Sequence, residues 1–132
     1  MAKLSIRTLL PAIAAVVTFV AAPAFAEDLK LSNKWRVEVS EGAKSDGTIL
    51  FRVTAKDGQP VDVPVAIKDG TSENSVARTI RDAFRATLDK EEFHSETDDG
   101  EDVLLKKRKG PNFELKLVES TVKATRINVE KE

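Results

Sequence analysis

Between Trp35 and Val129 the apolar residues alternate with polar ones along seven stretches, and the period lengthens to that of a helix only once. This single change of period limits what the chain can become. Trp35-Val37-Val39, Ile49-Phe51-Val53 and Val61-Val63-Val65-Ile67 each place apolar side chains at every second position, the pattern of a strand with one buried face. Val76, Ile80, Ala83, Phe84 and Leu88 then fall on one helical stripe, with Arg78, Arg81 and Arg85 away from it. Thr71 or Ser72 can cap this helix, and Glu73 complements its dipole. After it, alternation resumes at Phe93-Ser95-Thr97, Val103-Leu105, Phe113-Leu115-Leu117 and Ile127-Val129.

Face matching sets the hairpin registers. A three-residue loop Lys56-Asp57-Gly58, a type I turn closed by a left-handed Gly, pairs Val53 with Val61, Phe51 with Val63 and Ile49 with Val65. A two-residue loop would set Val53 against Asp62, apolar against polar. By the same logic, loop Asp98-Asp99-Gly100 pairs Ser95 with Val103 and Phe93 with Leu105. Pro64 lacks an N–H and places its strand at a sheet edge or a bulge. The expected class is α+β: an antiparallel sheet of two or more hairpins with one amphipathic helix packed on one face. Residues 27–33 read as a loose lead-in and 41–47 as a loop.

Residues 1–26 read as a cleaved signal peptide. Lys3 and Arg7 precede an apolar stretch from Leu9 to Ala22, and Ala24-Phe25-Ala26 offers a small-x-small cleavage site before Glu27-Asp28. Residues 27–132 then form a single small domain, with no transmembrane segment after cleavage. Losing Lys3 and Arg7 takes the basic count from 21 to 19 against 22 acidic side chains, so the net charge moves from -1 to -3. With no Cys there is no disulfide, no thiol nucleophile and no lipid anchor on Cys. Export without Cys points to a bacterial periplasm or to secretion.

The order of a hairpin, a capped helix over Thr71-Ser72-Glu73-Asn74-Ser75-Val76-Ala77, and a second hairpin around Asp99-Gly100 resembles the small ββαββ modules of phage tail and bacterial surface proteins. The resemblance covers about residues 47–119. It implies a structural or adhesive role and carries over no catalytic residue.

The chemistry-bearing residues are few. His94 is the only His, so a metal site of the usual His/Cys kind cannot form around it. In the expected register it faces Leu104. Asp98, Asp99, Glu101 and Asp102 crowd one turn and offer oxygen ligands for Ca²⁺, but they lack the alternate spacing of an EF-hand loop. A hairpin tip built of Asp and Gly explains them as well, and no metal or other cofactor is expected. Lys106, Lys107, Arg108 and Lys109 form the one basic run, a candidate surface for an anionic partner. Cross-strand Glu91–Lys107 and Glu92–Lys106 pairs and helical Arg78–Asp82 and Arg85–Asp89 pairs would neutralise part of that charge. Trp35 shares a face with Val37 and Val39 and reads as core; exposed, it would anchor a partner. The near-neutral charge and the absence of Tyr argue against a nucleic-acid partner.

The expected function is therefore an exported, non-enzymatic binding or structural module that acts on a protein or an anionic envelope polymer. The alternative is a small carboxylate- or metal-dependent hydrolase built on His94, which requires an acid within hydrogen-bond reach of the imidazole.

Overall fold

The computed structural model describes residues 28–132, so the signal-peptide reading of residues 1–26 lies outside the described residues. Seven strands and one helix follow in the order β1 (Lys34–Ser40), β2 (Gly47–Ala55), β3 (Val61–Ile67), α1 (Glu73–Thr87), β4 (Phe93–Asp98), β5 (Asp102–Lys107), β6 (Phe113–Ser120) and β7 (Arg126–Lys131). The class is α+β, as the change of period requires, and most of it is sheet. Among the described residues no helix is long and apolar enough to cross a membrane.

The strands form two antiparallel sheets where a single sheet was the simplest expectation. One has the order β4-β5-β1-β7, the other β3-β2-β6. The two sequence hairpins thus belong to different sheets. The helix lies against β3 and β4, an edge strand of each sheet, and also touches β5 and β1. At the other end β6 and β7 approach each other. One core fills the space between: Val37, Ile49, Phe51, Val63, Ile80, Phe84, Leu105 and Phe113 are all buried in it. Phe51 on β2 meets Phe84 on the helix at 5.3 Å between ring centroids. Trp35 on β1 is 4 % exposed, and its indole Nε1 donates to the carbonyl of Phe113 on β6 at 2.9 Å, a bond from one sheet to the other. A buried indole N–H needs such a partner, and Trp35 offers no surface for an anchor.

Ser72 is the helix N-cap, and its hydroxyl accepts from the Ser75 N–H. Pro64 sits on edge strand β3 opposite Leu50. The β2–β3 register is the expected one, with Val53 opposite Val61 and Phe51 opposite Val63. Its turn differs in detail. Asp57, not Gly58, carries the positive φ of 63°, and the Gly58 N–H closes the turn on the Ala55 carbonyl. Asp tolerates this left-handed conformation better than most side chains do.

The β4–β5 hairpin is shifted by two residues from the expected register. Ser95 faces Leu105, Thr97 faces Val103, and Phe93 faces Lys107. The loop is Asp99-Gly100-Glu101, with positive φ at Asp99 (52°) and Gly100 (82°). A shift of two leaves every side chain on the same face, so face matching alone could not detect it.

The lead-in is not loose at its end. Ser32 exchanges two backbone hydrogen bonds with Phe113, and the Asn33 carbonyl accepts from the Lys107 N–H. The loop after β1 is also tied down. Ala43 N–H donates to the Thr71 carbonyl at 2.8 Å, and Gly70 N–H donates to the Ala43 carbonyl. A Cβ at Gly42 would come within 2.8 Å of the Thr71 carbonyl oxygen, so this close approach needs glycine.

Candidate functional site

The outer face of the four-stranded sheet is a grid of charge. His94, Lys106 and Lys34 form one row across β4, β5 and β1. Glu96, Leu104, Arg36 and Glu130 form the next. Arg36 sits at the centre of this face. Its guanidinium binds Asp102 at 2.7 Å, Glu132 at 2.7 Å and Asp98 at 3.1 Å. The hydrogen bond to Glu132, then that to Asp102, pushes the guanidinium further above its already high value. Arg36 in turn holds the Glu132 carboxyl below the usual carboxylate range.

Two of the four acids of the β4–β5 turn are therefore committed to a guanidinium. Among the described residues no group of three or more His, Asp or Glu side chains is placed to hold a metal ion. The turn that offered Asp98, Asp99, Glu101 and Asp102 as oxygen ligands works instead as the anchor of Arg36.

The ion pairs give the fold an acid limit. Glu132 is lowered from 4.5 by Arg36, Asp62 from 3.8 by Arg52, and Glu96 from 4.5 by its hydrogen bond with His94. A carboxylate with a depressed folded value contributes stability above its unfolded value, and this is lost as pH falls through the folded one. Unfolding free energy is expected to be level near neutrality and to fall below about pH 4.5. Arg36→Met is expected to cost about 2 kcal/mol at pH 7, a modest figure because the partners are partly exposed. It should also flatten the acid limb of the stability curve. Denaturant unfolding of both proteins between pH 7 and 2.5 checks this.

The basic run does not form one patch. Strand alternation divides Lys106 from Lys107. Lys106 points outward beside His94, its partner across the strands. Lys107 turns inward: its side chain is 3 % exposed, its ammonium lies 4.1 Å from the centre of the Phe93 ring, and Glu92 is 3.5 Å away. Lys109 reaches Glu91 at 4.0 Å. Glu91 and Glu92 do pair with the run, Glu92 one residue and Glu91 two residues further along than the expected register placed them.

Arg108 goes elsewhere, into a cleft of about 360 Å³ between the end of the helix and β4. The apolar lining is Phe84 and Leu88 from the helix side with Phe93 and Leu105 from the sheet. The polar lining is Arg85, Lys90, His94, Ser95 and Arg108, and none of these is an acid. The strand edge explains how the arginines are set. β4 is an edge strand, so its outward carbonyls lack a strand partner. Arg85 Nε donates to the Ser95 carbonyl at 2.9 Å, and Arg108 Nε donates to the Phe93 carbonyl at 3.3 Å. Each guanidinium is thereby fixed through Nε, and Arg108 is held a second time by Nη2, which lies 3.1 Å from His94 Nδ1. The expected Arg85–Asp89 and Arg78–Asp82 pairs are not made. Arg78 donates to Ser75, and Asp82 is taken by its neighbour Arg81. Among the described residues neither Arg85 nor Arg108 nor Lys90 has a carboxylate within 4 Å.

His94 is held at both ring nitrogens. Its Nε2 lies 3.0 Å from Glu96 Oε1, and its Nδ1 lies 3.1 Å from Arg108 Nη2. A guanidinium can only donate, so Nδ1 accepts, and the proton of the neutral ring sits on Nε2 and is donated to Glu96. Nitrogen-15 shifts of His94 are expected to show an Nε2–H tautomer; an Nδ1–H tautomer would mean that the Arg108 contact is not made. Ser95 cannot act with this His. It faces the core at 3 % exposure, and its hydroxyl donates to the Leu104 carbonyl.

Arg85 and Lys90 were missed from the sequence, which offered an ordinary (i, i+4) partner for Arg85 and gave no sign that an edge carbonyl would compete for it. No family model matches the chain, nor does any curated protein or solved structure.

Proposed function

We propose that the chain is an exported, non-enzymatic binding module whose ligand is an anionic group presented by a protein or an envelope polymer. The observation that carries this reading is the cleft beside β4. Arg85, Lys90 and Arg108 line it without a carboxylate partner, while Arg36, Arg52, Arg81 and Lys107 are all matched. Unmatched cations over an apolar floor attract an anion and reward burial of whatever carries it. The chemistry of the surroundings supports binding over catalysis. His94 has an acid at hydrogen-bond distance, as a hydrolase requires, but its other nitrogen is taken by Arg108, and the neighbouring Ser95 hydroxyl is committed to the Leu104 carbonyl.

The test is affinity capture from periplasmic extract with residues 27–132 as bait. Wild type should retain a partner that is released by salt. Arg85→Glu/Arg108→Glu should lose it, and Lys116→Glu, an exposed change on β6, should keep it. Retention of the same partner by the double variant would sink the reading.

A further inference from the structure

We infer that the cleft beside β4 takes the C-terminal residue of a peptide, with its carboxylate between Arg85 and Arg108 and an apolar side chain on the floor. This rests on the binding reading above and narrows it to one ligand class.

The shape and size of the cleft support it. At about 360 Å³ it lies at the small end of ligand sites. That is room for one large side chain and its carboxylate, and too little for the paired chains of a lipid or a stretch of polysaccharide. Of the apolar lining, Phe84, Leu88 and Leu105 are at most 7 % exposed and Phe93 is half-buried, so the open apolar surface is small and suits one side chain, which inorganic phosphate would not supply. The head must meet two guanidinium groups. A guanidinium presents parallel N–H donors that match the two oxygens of a planar carboxylate. Both groups are fixed through Nε to backbone carbonyls of one strand, Ser95 and Phe93, two residues apart. Fixing them in advance reduces the ordering cost on binding. An internal acidic side chain is a poorer fit, because Asp and Glu carry no apolar group beside the carboxylate, whereas a C-terminal residue has both on one Cα. The same two contacts block the rival mode of strand addition on β4, since they occupy carbonyls that an added strand would need.

The experiment uses residues 27–132 and a library of peptides randomised over their last three positions, prepared once with free C-terminal carboxylates and once as C-terminal amides. The acid library should be retained at least about tenfold better than the amide library, with Phe, Leu, Ile and Met enriched at the last position. Arg85→Gln/Arg108→Gln, two exposed changes whose folding is checked by circular dichroism, should abolish the difference. Equal retention of acids and amides, enrichment of internal acidic residues, or no retention at all would overturn the inference. If captured periplasmic partners still depend on Arg85 and Arg108 in that event, the broader binding reading stands and only the ligand class falls. If they do not, both fall.

Discussion

Phe51→Ala is expected to lower the unfolding free energy by about 3–5 kcal/mol, which moves the melting temperature down by roughly 15–25 °C in a domain of this size. Phe51 is fully buried on the central strand of the three-stranded sheet. Its ring packs on Phe84 at 5.3 Å, an aromatic contact between that sheet and the helix that adds to the packing of the helix on β3. The two sheets share one core, so the cavity would open between the layers, where neither sheet can collapse without moving the other. Only 35 of the 106 residues from Glu27 onward are apolar, and a domain of this size has about 5–15 kcal/mol in total. Chemical denaturation of the variant and wild type measures the difference. A loss under about 1 kcal/mol would mean that Phe51 and Phe84 do not join the layers as described.

Arg85→Glu/Arg108→Glu is expected to weaken binding of the captured partner by at least about 100-fold while leaving the melting temperature within a few degrees. Each arginine would give a charge-assisted bond of about 1.5–3 kcal/mol to an anion, and reversal adds repulsion to the loss. The fold should tolerate the change because both side chains are exposed and neither belongs to the core. The cost to stability is the loss of two side-chain bonds to the β4 edge carbonyls and of the Arg108–His94 bond, which water can replace. Lys106→Glu/Lys109→Glu is the contrasting pair. Those residues share the basic run with Arg108 but do not line the cleft, so binding should change by less than about threefold.

The contrast shows how far the sequence could be read. Strand and helix positions followed from the periods, and the Val53–Val61 register followed from face matching. The β4–β5 register did not, because a slip of two residues keeps Phe93, Ser95 and Thr97 on the same face. The split of the basic run was accessible in principle. Two consecutive lysines on one strand must point to opposite sides, so Lys106 and Lys107 could not serve one surface. What lay beyond reach was the choice made by Arg85. Asp89 stands four residues away, but the helix ends at Thr87 and leaves Asp89 in the turn beyond it, while the unpaired carbonyl of Ser95 comes from a strand whose position depends on the whole sandwich. Likewise Arg36, an unremarked residue of an alternating stretch, gathers Asp98 and Asp102 from the β4–β5 turn and Glu132 from the end of the chain.

The most direct measurement of whether the cleft holds an anion is a nuclear magnetic resonance titration of residues 27–132 with 3-phenylpropionate, a carboxylate on a compact apolar group, and with its uncharged amide. The carboxylate should shift the Nε–H signals of Arg85 and Arg108 saturably, with a dissociation constant on the order of 1 mM, and the amide should leave them in place. Arginine signals that do not move, or that move equally with the amide, would contradict an anion site beside β4.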